Sequence, residues 1–239
     1  MHERDDKAQK VQSMFAAIAR RYDLNNRVHS LWRDQAWRKR AVKRARIRPG
    51  DVALDVACGT GDLTQALARA GAERVIGLDF TPQMLDLARV KRERLSGDAG
   101  GRIEYLEGDA QALPFEDDAF DALTIAFGIR NVQRPERAVA EFARVVKPGG
   151  RLVILEFDRP GFAPMRWFND FYSGWVMPRT ATLISGDRSG AYKYLPKSVE
   201  SFMSRPELLG LMAEHGFEGA RADTLTFGIC ACYYGVRAG

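Results

Sequence analysis

The chain has 239 residues, enough for one large α/β domain with a proper core, and its 46% hydrophobic and 28% charged content is that of a soluble globular protein. No apolar run approaches the ~20 residues of a spanning helix, and the charged start His2-Glu3-Arg4-Asp5-Asp6-Lys7 has no apolar core of a signal peptide. A net charge of +5 admits an anionic partner without requiring one, and three cysteines (Cys58, Cys230, Cys232) make no disulfide framework, so a reducing, cytoplasmic setting is expected.

Residues 8–48 read as helical and basic, with Met14, Phe15, Ile18 and Ala19 at helical spacing. Pro49-Gly50 breaks the chain there, which divides a helical lid (1–48) from a domain at 49–239. Short apolar runs then alternate with amphipathic stretches. Strands are expected at Val52–Ala57, Val75–Leu78, Ile103–Leu106, Ala122–Ala126 and Leu152–Glu156. Helices are expected at Leu63–Ala70, ended by Gly71, at Pro82 to about Leu95 with Thr81 as N-cap, and at Pro135–Val146, stopped by Lys147-Pro148-Gly149-Gly150. Residues 158–200 interrupt the rhythm as an aromatic-rich insertion holding Phe162, Trp167, Phe168, Phe171, Tyr172 and Trp175. Glu207–His215 is a last helix, and residues 222–236 form the final edge strands. This alternation predicts a parallel sheet covered on both faces.

In such sheets ligands bind beyond the carboxyl ends of the strands. Asp55-Val56-Ala57-Cys58-Gly59-Thr60-Gly61 stands there, after the first strand. Gly59 and Gly61 let the backbone turn tightly and approach a ligand, Thr60 offers a hydroxyl, and the helix starting near Asp62 turns its amides to the same space. A dinucleotide loop wants a third glycine where this chain has Thr64, and Asp62 would oppose a pyrophosphate. S-adenosylmethionine (SAM) has no phosphate, and its cationic groups suit Asp55 and Asp62. Asp79, ending the second strand, is placed to take ribose hydroxyls; Asp109, ending the third, is placed to accept from an adenine amino group. Asp62 reads equally well as a helix cap. His2, His29 and His215 are scattered, and no Cys/His spacing suggests a metal.

Asp55 to Asp62 resembles the first motif of class I SAM-dependent methyltransferases. Arg144-Val145-Val146-Lys147-Pro148-Gly149-Gly150 with Leu155-Glu156-Phe157, and Phe127-Gly128-Ile129-Arg130-Asn131-Val132, resemble the menaquinone/ubiquinone C-methyltransferases. So do Ser185-Gly186-Asp187, Ala191-Tyr192-Lys193-Tyr194-Leu195-Pro196-Lys197-Ser198, Tyr22-Asp23-Leu24 and Trp37-Arg38. The resemblance covers about Phe15 to Val236. Asn25, Trp32 and Asp34 depart from that family's N-terminal signature, and Ala126 stands where ubiquinone-branch members often carry Ser. The resemblance implies a Rossmann-like class I methyltransferase sheet, mostly parallel with an antiparallel edge strand. It implies SAM contacts at Thr60, Asp79, Asp109 and the backbone of Ala110, and C-methylation of a prenylated quinol, with demethylmenaquinol first and a polyprenyl benzoquinol second.

A neutral quinol carbon is a weak nucleophile, and ionising the adjacent hydroxyl (pKa about 10 by analogy with phenol) activates it. Arg130 and Asn131 follow the fourth strand, where the acceptor belongs. Arg130 is expected to stabilise the quinolate and Asn131 to orient a quinol oxygen or a water. Arg130 is too weakly acidic in its protonated form to serve as the base, which leaves Tyr22, Asp23, His29 or a water. The competing reading of Arg130 is a structural ion pair. The aromatic stretch Phe162–Trp175 reads as a polyprenyl pocket wall or bilayer contact, or as a helix packed on the sheet. Arg38–Arg48 has seven Lys or Arg in eleven residues, read first as a solvated helix face and next as attraction to anionic lipid. Nucleic acid is disfavoured, because no aromatics interleave with the basic run. A homodimer is compatible with the sequence. The rival functions are methylation of another small or lipid acceptor, and a SAM-binding module without turnover.

Overall fold

The computed structural model describes residues 2–185 and 191–239. The apolar runs pair as seven strands: β1 (Val52–Val56), β2 (Arg74–Asp79), β3 (Ile103–Glu107), β4 (Phe120–Ala126), β5 (Val146–Phe157), β6 (Phe217–Leu225) and β7 (Cys230–Arg237). They form one sheet in the order β3-β2-β1-β4-β5-β7-β6. The first five are parallel, and β7 runs antiparallel to both β5 and β6. This is the mostly parallel α/β sheet with an antiparallel edge that the sequence implied.

Among the described residues the helices are α1 (His2–His29), α2 (Arg33–Ala45), α3 (Asp62–Arg69), α4 (Pro82–Glu93), α5 (Pro135–Val145), α6 (Ala163–Phe171), α7 (Met177–Ser185), α8 (Ala191–Glu200) and α9 (Arg205–Glu214). A π-helical turn, Tyr172–Val176, joins α6 to α7. Successive strand residues point to opposite faces, so each strand feeds two cores. Ala53, Val75 and Val153 pack with Trp37 and Ala41 of α2, Leu63 and Leu67 of α3, and Ala88 of α4. Leu54, Ile76 and Ile154 pack with Val139 and Phe142 of α5 and Leu208 and Met212 of α9.

The structure revises several expectations. Lys147-Pro148-Gly149-Gly150 does not separate helix from strand. It lies inside β5, where the register slips between Phe120↔Val146 and Ala122↔Arg151, with Gly149 at φ 74°. The edge strands begin at Phe217, five residues before the expected start. The two helices of the expected lid have different surroundings. Trp37, Ala41 and Ala45 of α2 are buried in the sheet's core, whereas α1 packs through Met14 and Ile18 onto Ala181 of α7. The basic run on α2 is not a free solvated face. Arg38 pairs with Asp34 at 3.0 Å, and Arg40 and Arg44 converge on Asp223 of β6 at 2.7 and 2.6 Å. These pairs satisfy three of the seven cations, which weakens the case for lipid attraction through this helix. Nor does α6 pack on the sheet: none of its residues is buried. The Gly186-Asp187 part of one expected signature lies outside the described residues.

The contrast between α5 and the end of α6 gives a stability test. Phe142 is fully buried, while Phe171 is exposed. Phe142→Ala is expected to cost about 3–5 kcal/mol in urea unfolding, and Phe171→Ala less than about 0.5 kcal/mol. Equal losses at the two positions would overturn this assignment of core and surface.

Candidate active site

The helices that follow β1 and β4 lie on opposite faces of the sheet, so a crevice opens between these neighbouring strands. Both strands leave the sheet through a left-handed residue, Ala57 (φ 51°) and Phe127 (φ 58°). Gly128 completes the crossing. A Cβ there would stand 2.5 Å from the Ala57 Cβ, so only glycine lets the two strand ends pass this closely.

The crevice has two lobes. The larger, about 850 Å³, is walled by Asp79, Asp109, Ala110 and Asn131, with Val11, Gln12 and Phe15 of α1 above. The smaller, about 320 Å³, is walled by Arg38, Asp55, Thr60 and Asp62. Tyr22, Ala57, Gly59 and Ala126 line both and join them.

Asp79 is the clearest donor-side residue. The Gly59 N–H donates to its Oδ2 at 2.8 Å and the Thr81 N–H to its Oδ1 at 2.8 Å. One carboxylate therefore ties the glycine loop to the N-terminus of α4 and keeps acceptor capacity toward the cleft. Burial raises its pKa, against these two backbone bonds. Asp109 accepts from the Gln111 N–H at 2.9 Å, and with Ala110 it walls the same lobe. Gly59 and Gly61 both have positive φ, 56° and 81°, and a Cβ on Gly61 would strike the Tyr105 hydroxyl.

Asp55 and Thr60 both wall the small lobe, and each side chain has a partner within the protein. The Asp55 carboxylate is held by the hydroxyls of Thr64 (2.6 Å) and Thr124 (2.8 Å), so it forms the floor of the small lobe and braces β1 against α3 and β4. The Thr60 hydroxyl donates to Asp23 of α1 at 2.6 Å. Lys91 of α4 donates to Asp23 at 2.8 Å and to Thr60 at 3.1 Å, and it pairs with Asp62. Arg27 of α1 lies 3.6 Å from Asp62. Asp62 is thus one anchor of a latch between α1 and the glycine loop.

On the acceptor side, Asn131 walls the large lobe, donates to the Phe127 carbonyl at 3.3 Å and accepts from Tyr194 at 3.3 Å. Tyr22 is at the junction of the lobes, and burial raises its pKa, so it is a phenol at neutral pH. Arg130 is turned away from the cleft. Its Nη1 donates to Glu156 at 2.6 Å and to the Phe127 carbonyl at 2.6 Å, and the pair is 3% and 1% exposed. The structural ion pair, the competing reading of Arg130, is the arrangement found. Of the other base candidates, Asp23 is taken by Thr60 and Lys91, and His29 Nδ1 lies 3.1 Å from the Tyr172 hydroxyl.

Gln12 and Lys91 were not singled out from the sequence, and Arg38 entered only within the Trp37-Arg38 motif and the basic run, not as an inward-facing residue. Gln12 donates to the Phe80 carbonyl at 2.6 Å and so fastens α1 over the donor lobe. Their partners lie up to 68 residues away, beyond any local pattern. The inward direction of Arg38 had a local signal in Asp34, four residues before it. The donor set suits SAM: two cleft-facing carboxylates for hydroxyl and amino groups, and Arg38 as a cation in the small lobe for a carboxylate. Among the described residues no group of three His, Cys, Asp or Glu could hold a metal.

Asp55 gives a pH test. Burial pushes its carboxyl up to about 6, although both threonine hydroxyls favour the ionised form. In the unfolded chain the value is about 3.9. Between these values the folded state keeps a proton that the unfolded chain releases, so this group's contribution falls as pH rises and is level above the window. Relative to the parent, Asp55→Asn should gain about 2–3 kcal/mol of stability between pH 4 and 7, read by urea unfolding without ligand. A difference that does not change with pH would refute the assignment.

The profile of the ubiE/COQ5 methyltransferase family matches residues 3–237. The chain is 47% identical to the demethylmenaquinone methyltransferase of Thermus thermophilus, over 94% of this chain and 100% of that protein. It is 45% identical to the demethylmenaquinone methyltransferase of Deinococcus radiodurans, over 98% and 95%. It is 41% identical to the ubiquinone/menaquinone biosynthesis C-methyltransferase UbiE of Geotalea daltonii, over 97% and 98%. Among solved structures, a SAM-dependent methyltransferase from Aquifex aeolicus superposes with a TM-score of 0.57 at 19% identity, covering 83% of this chain and 88% of that one. The phosphoethanolamine N-methyltransferase 2 of Haemonchus contortus superposes with a TM-score of 0.61 at 16% identity, covering 84% and 52%. These two likenesses establish the fold, and the sequence matches establish the lineage: the chain belongs to the ubiE/COQ5 methyltransferase family.

Proposed function

We propose that this chain uses SAM to methylate a ring carbon of a prenylated quinol, first of all demethylmenaquinol, in respiratory quinone biosynthesis. The observation that carries this reading is the shared cleft. A donor wall of Asp79 and Asp109 and an acceptor wall of Asn131 meet at Tyr22, Ala57, Gly59 and Ala126. Two of the relatives described above are demethylmenaquinone methyltransferases. The name of the Geotalea relative also supports a benzoquinol as second acceptor.

Bound SAM supplies a methyl electrophile with a thioether leaving group. The work left to this chain is to make the ring carbon nucleophilic and to let its proton go. Asn131 holds a quinol oxygen through its amide. Tyr22, a phenol at neutral pH, donates a hydrogen bond to the same oxygen as charge develops on it. Among the described residues, the carboxylates on the wall of the large lobe are Asp79 and Asp109 on the donor side, so a water takes the proton. Arg130 acts as a positioning residue. It holds the Phe127 carbonyl, which also receives the Asn131 amide, and so fixes that amide's direction.

Purified protein with SAM and demethylmenaquinol should yield menaquinol, at a higher kcat/KM than with 2-methoxy-6-polyprenyl-1,4-benzoquinol. No methylated naphthoquinol would overturn the first choice. Asn131→Ala should lower kcat by roughly 10- to 100-fold with the SAM Kd unchanged. Asp79→Asn should weaken SAM binding by roughly 10- to 100-fold in calorimetry, through loss of charge-assisted bonds. A variant at Asn131 that turns over normally would remove it from the acceptor wall.

A further inference from the structure

We propose that α6, the π-helical turn and the start of α7 form a bilayer-docking face that inserts aromatic side chains among phospholipid headgroups. This stands whether or not the acceptor is a prenylated quinol.

Trp167, Phe171 and Trp175 form a continuous ridge. Trp167 and Phe171 are stacked with centroids 6.1 Å apart, and Phe171 and Trp175 with centroids 5.7 Å apart. Arg179 completes the row, its guanidinium 4.4 Å from the Trp175 ring centre. The ridge faces outward, with Trp167 72% exposed and Trp175 54% exposed. Stacking holds these rings in order with no core beneath them. An exposed aromatic stripe of this length is unfavourable in water and marks an interaction surface.

Two loop tips extend the face. At the α1–α2 corner, Leu31 and Trp32 are 78% and 60% exposed, on left-handed backbone (φ 51° and 60°) that bulky residues rarely adopt. The His29–Tyr172 contact at 3.1 Å sets this corner beside the ridge. At the β6–β7 turn Phe227 is exposed, also with positive φ, and the following Gly228 packs against Pro160, just ahead of exposed Phe162. Three of the chain's four tryptophans, Trp32, Trp167 and Trp175, are therefore exposed here, and only Trp37 is in the core.

Charge selects the occupant. Exposed Arg33, Arg166 and Arg179 flank the aromatics, against one exposed acid on the ridge, Asp170. Arginines beside tryptophans suit headgroup phosphates above an apolar layer, the amphipathic chemistry that places these side chains at membrane–water boundaries. A second copy seated by two-fold symmetry would set the same arginines near one another, which disfavours it. The face differs from the basic run of α2, whose Arg38, Arg40 and Arg44 are engaged with Asp34 and Asp223. Aromatic insertion, more than net charge, therefore governs binding.

The test is flotation and tryptophan fluorescence of the full chain with phosphatidylcholine vesicles, with and without phosphatidylglycerol. Binding should occur to both, survive high salt on the neutral vesicles, and be accompanied by quenching from brominated acyl chains. The triple variant Trp167→Ser, Phe171→Ser, Trp175→Ser should lose at least roughly tenfold in vesicle affinity, while its urea midpoint and SAM affinity match the parent. Equal vesicle binding by parent and variant, or tryptophan emission indifferent to brominated lipid, would overturn the proposal. So would a parent that sediments as a dimer and becomes monomeric in the triple variant, since the face would then be a self-interface.

Discussion

Two full charges, Arg130 and Glu156, are shut away from water at the junction of β4, β5 and α8, and the acceptor half of the crevice is built around them. Glu156 accepts from Arg130 Nη1 at 2.6 Å and from the Phe157 N–H at 2.8 Å. Arg130 also holds the Phe127 carbonyl at 2.6 Å and reaches Ser198 of α8 at 3.3 Å. Burial still raises the Glu156 pKa, with Arg130 opposing it, so the carboxylate relies on its partner. Such a pair contributes little net stability, because desolvation offsets the attraction, yet losing one member leaves an uncompensated buried charge worth about 3–5 kcal/mol. What it supplies here is a single geometry for the turn Phe127–Asn131. That turn contains a left-handed Phe127 and, at Gly128, a close approach between the ends of β1 and β4 that glycine permits.

The donor half is fixed by a different device. Asp79 takes two backbone N–H groups, one from the glycine loop and one from the head of α4, so the loop is shaped before any ligand arrives. Above it, α1 is fastened at two points. Gln12 holds the Phe80 carbonyl, and the Asp23–Lys91–Asp62 chain, with Thr60 inside it, holds the loop. The Thr60 hydroxyl is engaged by the cover itself. Closure of α1 and the shape of the donor loop are thereby coupled through one hydroxyl and one lysine, and disturbing either reaches the other.

The order of strands and helices was legible because burial imposes a period on each element, and five parallel strands produce five apolar runs. Asp79 and Asp109 were legible because strand ends beside glycines are where a parallel sheet opens. What was hidden required long-range pairing. Glu156 lies 26 residues from Arg130 and Lys91 lies 68 from Asp23, and neither spacing has a local signature. Asp55 and Asp79 look alike in sequence, each at or near the carboxyl end of a strand. Asp55 is satisfied by hydroxyls beneath the loop, whereas Asp79 faces the cleft. The aromatic insertion was visible as composition only. The same rings serve a core or a surface, and the outcome turned on which of their sides found a covering layer. The Lys147–Gly150 segment carried strong turn residues, yet a register slip within β5 absorbed them.

The two halves of the crevice differ in how they treat charge. Carboxylates face the donor side, while the acceptor side presents an amide and a phenol, with the Arg130 charge placed behind them and matched by Glu156. On the proposed reading, an anion developing on an acceptor oxygen would be met by these oriented dipoles. Fixed dipoles cost nothing to reorganise at the moment charge develops, and they bind a neutral acceptor without trapping its ionised form. A guanidinium opening directly into the same lobe would hold the anion at every stage and favour the ground state. On that reading, burying Arg130 against Glu156 pairs its charge, and the shared Phe127 carbonyl links it to Asn131, so its contribution to the site is chiefly geometric.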